Sequence, residues 1–292
     1  MNNVILAHEH ITIDLAGHKK DPDCRLDDRS AALRDLRRLP ELGVRTIVDQ
    51  TCRGMGRNPQ YAQSLADELK ISVLHATGYY KEPFLPEECY AMSEAQLCDL
   101  MLSELREGIS DTGQRASLIG EIGTSKDAIE PMEETIFRAA SRAHAESGAP
   151  ICTHTTLGRL GLEQLSIFRQ FSVDLKKVVL SHIDLSGEFE YMLRLLDTGV
   201  NIAFDTIGKL SYQPDTSRAS WLAELCRRGY DNQIVLSMDI TRKSHYKANN
   251  GPGYAYLMET FVPLAKEAGC GERQLEAMLS INGARIYAPL GG

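Results

Sequence analysis

The chain has 292 residues, of which 43% are hydrophobic and 25% charged, and its formal net charge is -8. That composition is ordinary for a globular fold, and the length suits one large core. The acidic balance, without any Lys/Arg block, argues against nucleic acid or an anionic membrane as a partner.

The first apolar run, Val4–His10, is short and ends in His8 and His10. Side chains alternate along a strand, so positions i and i+2 project together. Two neutral imidazoles side by side are half of a metal site. Glu9 falls on the other face, toward a helix. An irregular stretch, Ala16–Arg29, leads to a predicted helix at Ser30–Leu42, ended by Gly43. The second strand, Val44–Thr51, is followed by Arg53 and Arg57 and by a helix at Pro59–Leu69. The third, Ile71–Gly78, runs into a long loop, Tyr79–Met92, that opens with Tyr79 and Tyr80; a helix at Ser93–Gly108 follows.

The fourth strand, Ser117–Gly123, carries Glu121. The helix after it, Pro131–Ser147, has Pro at its start and Gly148 just past its end. The fifth strand, Pro150–Thr155, ends on His154, with Cys152 on the same face as a small core thiol. A helix at Leu160–Phe171 follows. The sixth, Val178–Asp184, carries His182 and precedes a helix at Glu188–Leu196. The seventh, Val200–Gly208, is followed by Lys209, Tyr212 and a helix at Ser217–Arg228. The eighth, Ile234–Thr241, carries Asp239 and opens a loop, Arg242–Pro252, with Arg242 and His245. Helices at Tyr254–Ala268 and Glu272–Leu279 close the chain.

Near-continuous apolar strands alternating with helices are the mark of a parallel sheet covered on both faces. Eight such units predict an α/β fold, a (β/α)8 TIM barrel, as one domain over 1–292. The three longest irregular stretches all follow strands, on the face where barrel active sites lie.

Four His, one Glu and one Asp therefore meet at one rim. Each alone also fits a structural role: a His anchoring a loop, or an acid capping a helix. Six together are different, because burying so many ionisable groups is costly unless a metal pairs them. His8, His10, Glu121, His154, His182 and Asp239 exceed what one tetrahedral catalytic zinc needs. Two divalent ions are expected, roughly 3.5–4 Å apart with a hydroxide between them, and Glu121 can offer one oxygen to each.

The pattern resembles the phosphotriesterase family of the amidohydrolase superfamily over essentially the whole chain. The match lies in His8-x-His10, His154, His182 and Asp239. It is similar above all to the family's bacterial homology-protein branch, in Gly120-Glu121-Ile122-Gly123-Thr124-Ser125, Phe204-Asp205-Thr206-Ile207-Gly208-Lys209 and Ser237-Met238-Asp239-Ile240-Thr241-Arg242. Phosphotriesterases themselves bridge their metals with a carboxylated lysine; here Glu121 stands in its place. The resemblance implies that His8, His10 and Asp239 hold a buried metal, that His154 and His182 hold an exposed one, and that Glu121 joins both. Zinc is the usual ion, with manganese, iron or cobalt also suited to these ligands. It further implies metal-assisted hydrolysis in which Asp239 takes the proton of the attacking hydroxide.

Loops after the seventh and eighth strands of barrels often grip phosphate. Lys209 and Arg242 there suit an anionic group, with His245 and Tyr80 completing the expected substrate-binding set. Arg53, Arg57 and Tyr79 are further candidates for the mouth. The resemblance extends to family members that hydrolyse phosphorylated sugar lactones, which carry a Tyr where His245 stands. The expected reaction is hydrolysis of a carboxylic ester or lactone. A phosphotriester hydrolase, a mononuclear deaminase of the same superfamily, and a barrel with only a binding role are the alternatives; the deaminase would not need Glu121. The expected partner is a small anionic molecule, and a homodimer is one assembly considered. Seven cysteines without a C-x-x-C pair fit reduced, buried thiols. Without a basic leader or a long apolar window, the chain reads as cytoplasmic.

Overall fold

Eight parallel strands in one sheet form the computed structural model, which describes residues 2–289. Met1 and residues 290–292 of the expected 1–292 domain lie outside the described residues. The strands are β1 (Val4–Glu9), β2 (Val44–Asp49), β3 (Ser72–Thr77), β4 (Ala116–Thr124), β5 (Ile151–Thr155), β6 (Val178–Ser181), β7 (Asn201–Phe204) and β8 (Ile234–Leu236). Each pairs with the next in chain order, the connectivity of a single-domain (β/α)8 barrel. Among the described residues, no helix is long and apolar enough to cross a membrane.

The core has two parts. One side chain from each strand, from Ala7 on β1 to Val235 on β8, fills the lumen, where Ile286 and Tyr287 also pack. Cys152 lies in this layer, its Sγ 3.3 Å from the Tyr287 hydroxyl, as a core thiol. The larger part is apolar packing that includes the outward residues of the strands and the helices. All seven cysteines are free and buried.

Helix limits follow local chemistry. Pro59–Leu69 and Pro131–Ser147 stand as the sequence predicts. The first long helix covers only Arg29–Leu36, capped by the Asp28 carboxylate on Ala31 N–H. Pro40 lacks the N–H that a longer helix needs. The helix after β7 starts earlier than expected, at Asp215 behind Pro214. The expected Tyr254–Ala268 helix is a π turn at Leu257–Phe261 joined to Val262–Glu267, a wider turn placed just before Pro263. The last helical stretch passes the expected Leu279 and reaches Ile286, which helps to fill the lumen.

Glu9 corrects one expectation. Its carboxylate bonds not to a helix but across the closure of the barrel between β1 and β8. Its Oε1 accepts from Ser237 Oγ at 2.7 Å and Met238 N–H at 2.8 Å, and its Oε2 accepts from Ile240 N–H at 3.0 Å. Asp239 N–H adds a bond to His8 C=O at 3.2 Å. The buried Glu9 carboxylate thus fixes the backbone on both sides of Asp239. Glu9→Gln keeps the shape but turns one acceptor into a donor against an N–H. It is expected to cost about 1–3 kcal/mol, read as a lowered thermal midpoint.

Candidate metal centre

Strict alternation would set His8 opposite Ala7. The β1–β2 register shifts between Leu6 and Glu9, and such an irregularity re-aims side chains. The β4–β5 register shifts between Ile119 and Ile122, around Glu121. Gly120 sits there at φ +148, and a Cβ on it would lie 2.5 Å from the Cys152 carbonyl oxygen. Only glycine fits that approach. The ladder ends before His182 and Asp239, which take left-handed φ values of 62° and 50°. Such conformations persist where the surroundings over-determine them. Here Asp205 Oδ1 accepts from His182 N–H at 2.8 Å, and His8 C=O accepts from Asp239 N–H.

The imidazoles are aimed through their Nδ1 atoms. His10 Nδ1 lies 2.8 Å from Thr51 Oγ1, whose own proton has an acceptor in Asp49 Oδ1 at 2.6 Å. His8 Nδ1 lies 2.9 Å from both Ser181 Oγ and Asp205 Oδ2. That leaves the two Nε2 atoms buried and without a hydrogen-bond partner. Carboxylate oxygens stand close without hydrogen-bond alignment: His10 Nε2 is 3.2 Å from Glu121 Oε1 and 3.3 Å from Asp239 Oδ1. Buried, aimed and unpartnered imidazole nitrogens beside carboxylates are what a divalent cation requires.

The six expected ligands do converge. His8, His10 and Asp239 offer atoms within 4.8 Å of one another, and so do His8, Glu121 and His182. His154 stands beside these groups: its Nδ1 is 3.1 Å from Glu121 Oε2, and its ring centroid is 4.6 Å from that of His182. Glu121 faces the set with both oxygens. Oε1 looks toward His10, while Oε2 lies 3.1 Å from His154, 3.6 Å from His182 and 3.8 Å from His8.

Electrostatics say the same. Burial opposes charge on His8, yet Asp205 and Glu121 outweigh it and raise its pKa well above the ordinary range. His182 is pushed up to about 10 against burial, chiefly by Asp205. Burial would raise Glu121 and Asp239, but His8 and Lys209 respectively head the charges that hold them well below the carboxylate range. The carboxylates call for cations, which metal ions supply by displacing protons.

Asp205 is the buried residue that sequence reasoning missed as a functional group. It is fully buried, and Oδ1 lies 2.9 Å from His182 Nδ1 while Oδ2 faces His8. One carboxylate therefore orients two of the imidazoles. Its position one residue past β7 was the available signal. Asp205→Asn is expected to weaken metal affinity roughly 10- to 100-fold, checked by competition with a chelator.

Around the cage lies a cavity of about 260 Å³, lined among others by Tyr80, Lys209, Arg242 and His245. The Tyr80 hydroxyl is 3.2 Å from His154 Nδ1. Burial, then Glu121, raises its pKa well above the phenol range, so it stays protonated. Lys209 Nζ donates to Asp239 Oδ2. Arg242 pairs with Asp21 at 2.7 Å and Asp23 at 3.6 Å. His245 Nδ1 accepts from Thr241 N–H at 3.2 Å. Burial, then Lys209, lowers its pKa to about 4, so at neutral pH its Nε2 carries the proton.

Arg53, Arg57 and Tyr79 do not line this cavity. Glu104, on the helix Glu94–Arg106, draws both arginines away, at 3.2 Å from Arg53 and 2.7 Å from Arg57. The Tyr79 hydroxyl turns to Glu88 at 3.2 Å. A second unforeseen feature is the fully buried Arg218, which binds Asp184 at 2.6 Å and Asp215 at 2.8 Å. Asp215 in turn accepts from Gly208 N–H at 3.1 Å and Tyr256 Oη at 2.9 Å, which anchors the loop carrying Lys209.

A model of the phosphotriesterase family matches residues 2–287. The chain is 43% identical over 282 residues to the phosphotriesterase homology protein of Escherichia coli (strain K12), covering 97% of each. The crystal structure of the Escherichia coli phosphotriesterase homology protein, complexed with phosphate in its active site, matches with a TM-score of 0.96 at 42% identity, covering 98% of this chain and 99% of that one. A lactonase from Listeria monocytogenes matches with a TM-score of 0.92 at 27% identity, covering 98% and 94%. With barrel, cage and sequence in agreement from the first strand to the last helix, the protein belongs to the phosphotriesterase family.

Proposed function

We propose that the protein is a binuclear-metal hydrolase that cleaves a small carboxylic ester or lactone carrying an anionic group, with phosphorylated sugar lactones the first candidates. One observation carries the metal count: the two oxygens of Glu121 face different imidazoles, Oε1 toward His10 and Oε2 toward His154 and His182. That is the disposition of a bridging carboxylate, with His8, His10 and Asp239 at one end and His154 and His182 at the other. Two divalent ions there, zinc first by ligand type, would acidify water and polarise the scissile carbonyl.

The chain supplies the rest. Asp239 lines the cavity and takes at Oδ2 the proton lost by the attacking water. Lys209, donating to that same oxygen, holds it in place. The Tyr80 hydroxyl and the His245 Nε2–H present donors to substrate oxygens. Lys209 and Arg242 give this wall a basic character that suits a phosphate or carboxylate. The two relatives accord with this reading: one holds phosphate in its active site, and the other is a lactonase. A neutral triester would gain nothing from the positive charge of this wall, which ranks it lower. Seven free, buried thiols support a reducing, cytoplasmic setting.

The test joins metal analysis to a panel of phosphorylated sugar lactones, esters, amides and phosphotriesters. Two metals per chain and the highest kcat/KM on an anionic lactone or ester are expected. Full activity with one metal, or no turnover on any class, would overturn the reading.

A further inference from the structure

The basic groups expected to hold an anion already have carboxylate partners: Lys209 has Asp239, and Arg242 has Asp21 and Asp23. Two other cations line the same cavity and pair with no carboxylate among the described residues, Lys81 and Lys19. Lys81 follows β3, and Lys19 ends the short helix Ala16–Lys19 that follows β1. In an eight-stranded barrel, β3 and β7 lie on opposite sides, so Lys81 faces the cavity from across Lys209.

Lys81 is only 9% exposed. Its Nζ donates to one backbone oxygen, Glu82 C=O, at 2.7 Å. An ammonium has three N–H groups, and leaving a buried one without an anion is costly. Glu133 and then Glu121 are the acidic groups that act on it from a distance, neither within ion-pair reach, and Glu133 is committed elsewhere. Its oxygens accept from the Glu82, Ser125 and Glu130 N–H groups and from Ser125 Oγ. Aromatic rings hold the ammonium instead: Phe84 at 5.5 Å and Tyr80 at 5.8 Å from Nζ. Lys19 Nζ lies 5.8 Å from the same Phe84 ring. Two like charges gathered on one ring repel unless an anion joins them.

The stem of Lys81 is also built toward the metal cage. A Cβ on Gly123 of β4 would meet His154 Cβ at 3.0 Å and Lys81 Cβ at 3.2 Å. Glycine there lets the lysine pack beside a metal-ligand histidine. From this arrangement we propose that Lys81, assisted by Lys19, is an anion subsite. It takes an acidic group on the β3 side of the scissile bond, of the carboxylate, sulfonate or phosphonate type. The proposal rests on reading this cavity as a substrate site.

The test is binding, by calorimetry, of butyrate against succinate, 3-sulfopropanoate and 3-phosphonopropanoate to the zinc-loaded protein. All four share one carboxylate for the metals, and three add a second acid. At least one of the three is expected to bind ten times tighter than butyrate, and which one identifies the group. Lys81→Met should bring that preference within twofold. Lys81→Arg should keep it, and Lys19→Met, at an exposed position, should lower it about threefold. Absence of any preference in the wild type would overturn the proposal, as would a preference that survives Lys81→Met. If Lys81→Met does not fold, Lys19→Met decides: an unchanged preference overturns the subsite. Lost ester turnover with the preference intact would instead count against the hydrolase reading alone.

Discussion

Asp239→Asn is expected to keep most of the bound metal and to lose roughly 10²- to 10⁴-fold in turnover, the span of one general base. The fold should tolerate the change. Asn accepts the left-handed φ of 50° at this position better than most residues, and the bond from N–H to His8 C=O is a backbone one. Oδ1 stays available beside His8 and His10, so a ligand atom remains. What is lost is the second anionic oxygen, the one that Lys209 contacts, on a residue that lines the cavity. An amide in that place offers no site for a proton at neutral pH. Metal content per chain and kcat, measured on the same sample, separate the two roles. Near-normal kcat at full metal would remove Asp239 as the base.

The barrel was legible because its strands are apolar runs and its helices carry end signals such as Pro59, Pro131 and Gly148. The meeting of the six ionisable residues was legible for a related reason: a charged residue that ends an apolar strand stands out. Asp205 obeys that same rule and was passed over, since no metal-ligand spacing marks it. Glu9 was misplaced because alternation assigns a face but not a partner. The seam between β1 and β8 joins positions about 230 apart, and nothing local in the sequence announces that contact. Arg53 and Arg57 were misread for a similar reason. Their carboxylate, Glu104, sits on a helix far along the chain, in a pattern that reads as an ordinary amphipathic face. The register shifts at His8 and Glu121 lie beyond pattern as well, except that Gly120 marks one of them.

Glu121→Ala is expected to have the widest consequence, because this side chain lies beside all four histidines of the cage. Its two oxygens lie between 3.1 and 3.8 Å from His10, His154, His182 and His8. Removing it takes away the carboxylate shared by both ends of the cage and one of the charges that balance cations there. Metal content should fall from two per chain to one or none, and turnover should fall by at least about 10³-fold, as expected when the ions that activate water are lost. Glu121→Gln refines the result. It preserves the volume and one acceptor oxygen but not the charge, so it should retain more metal than Ala and still fall well short of wild type. The imidazoles report independently of turnover. Glu121 helps to raise the pKa of His8 and His182, so in metal-free protein their titration by NMR should move down in both variants. A mononuclear deaminase-like centre predicts otherwise: one metal per chain before and after, with activity tolerant of Glu121→Ala. Metal analysis of the wild type and the two variants therefore decides between a bridging Glu121 and a bystander.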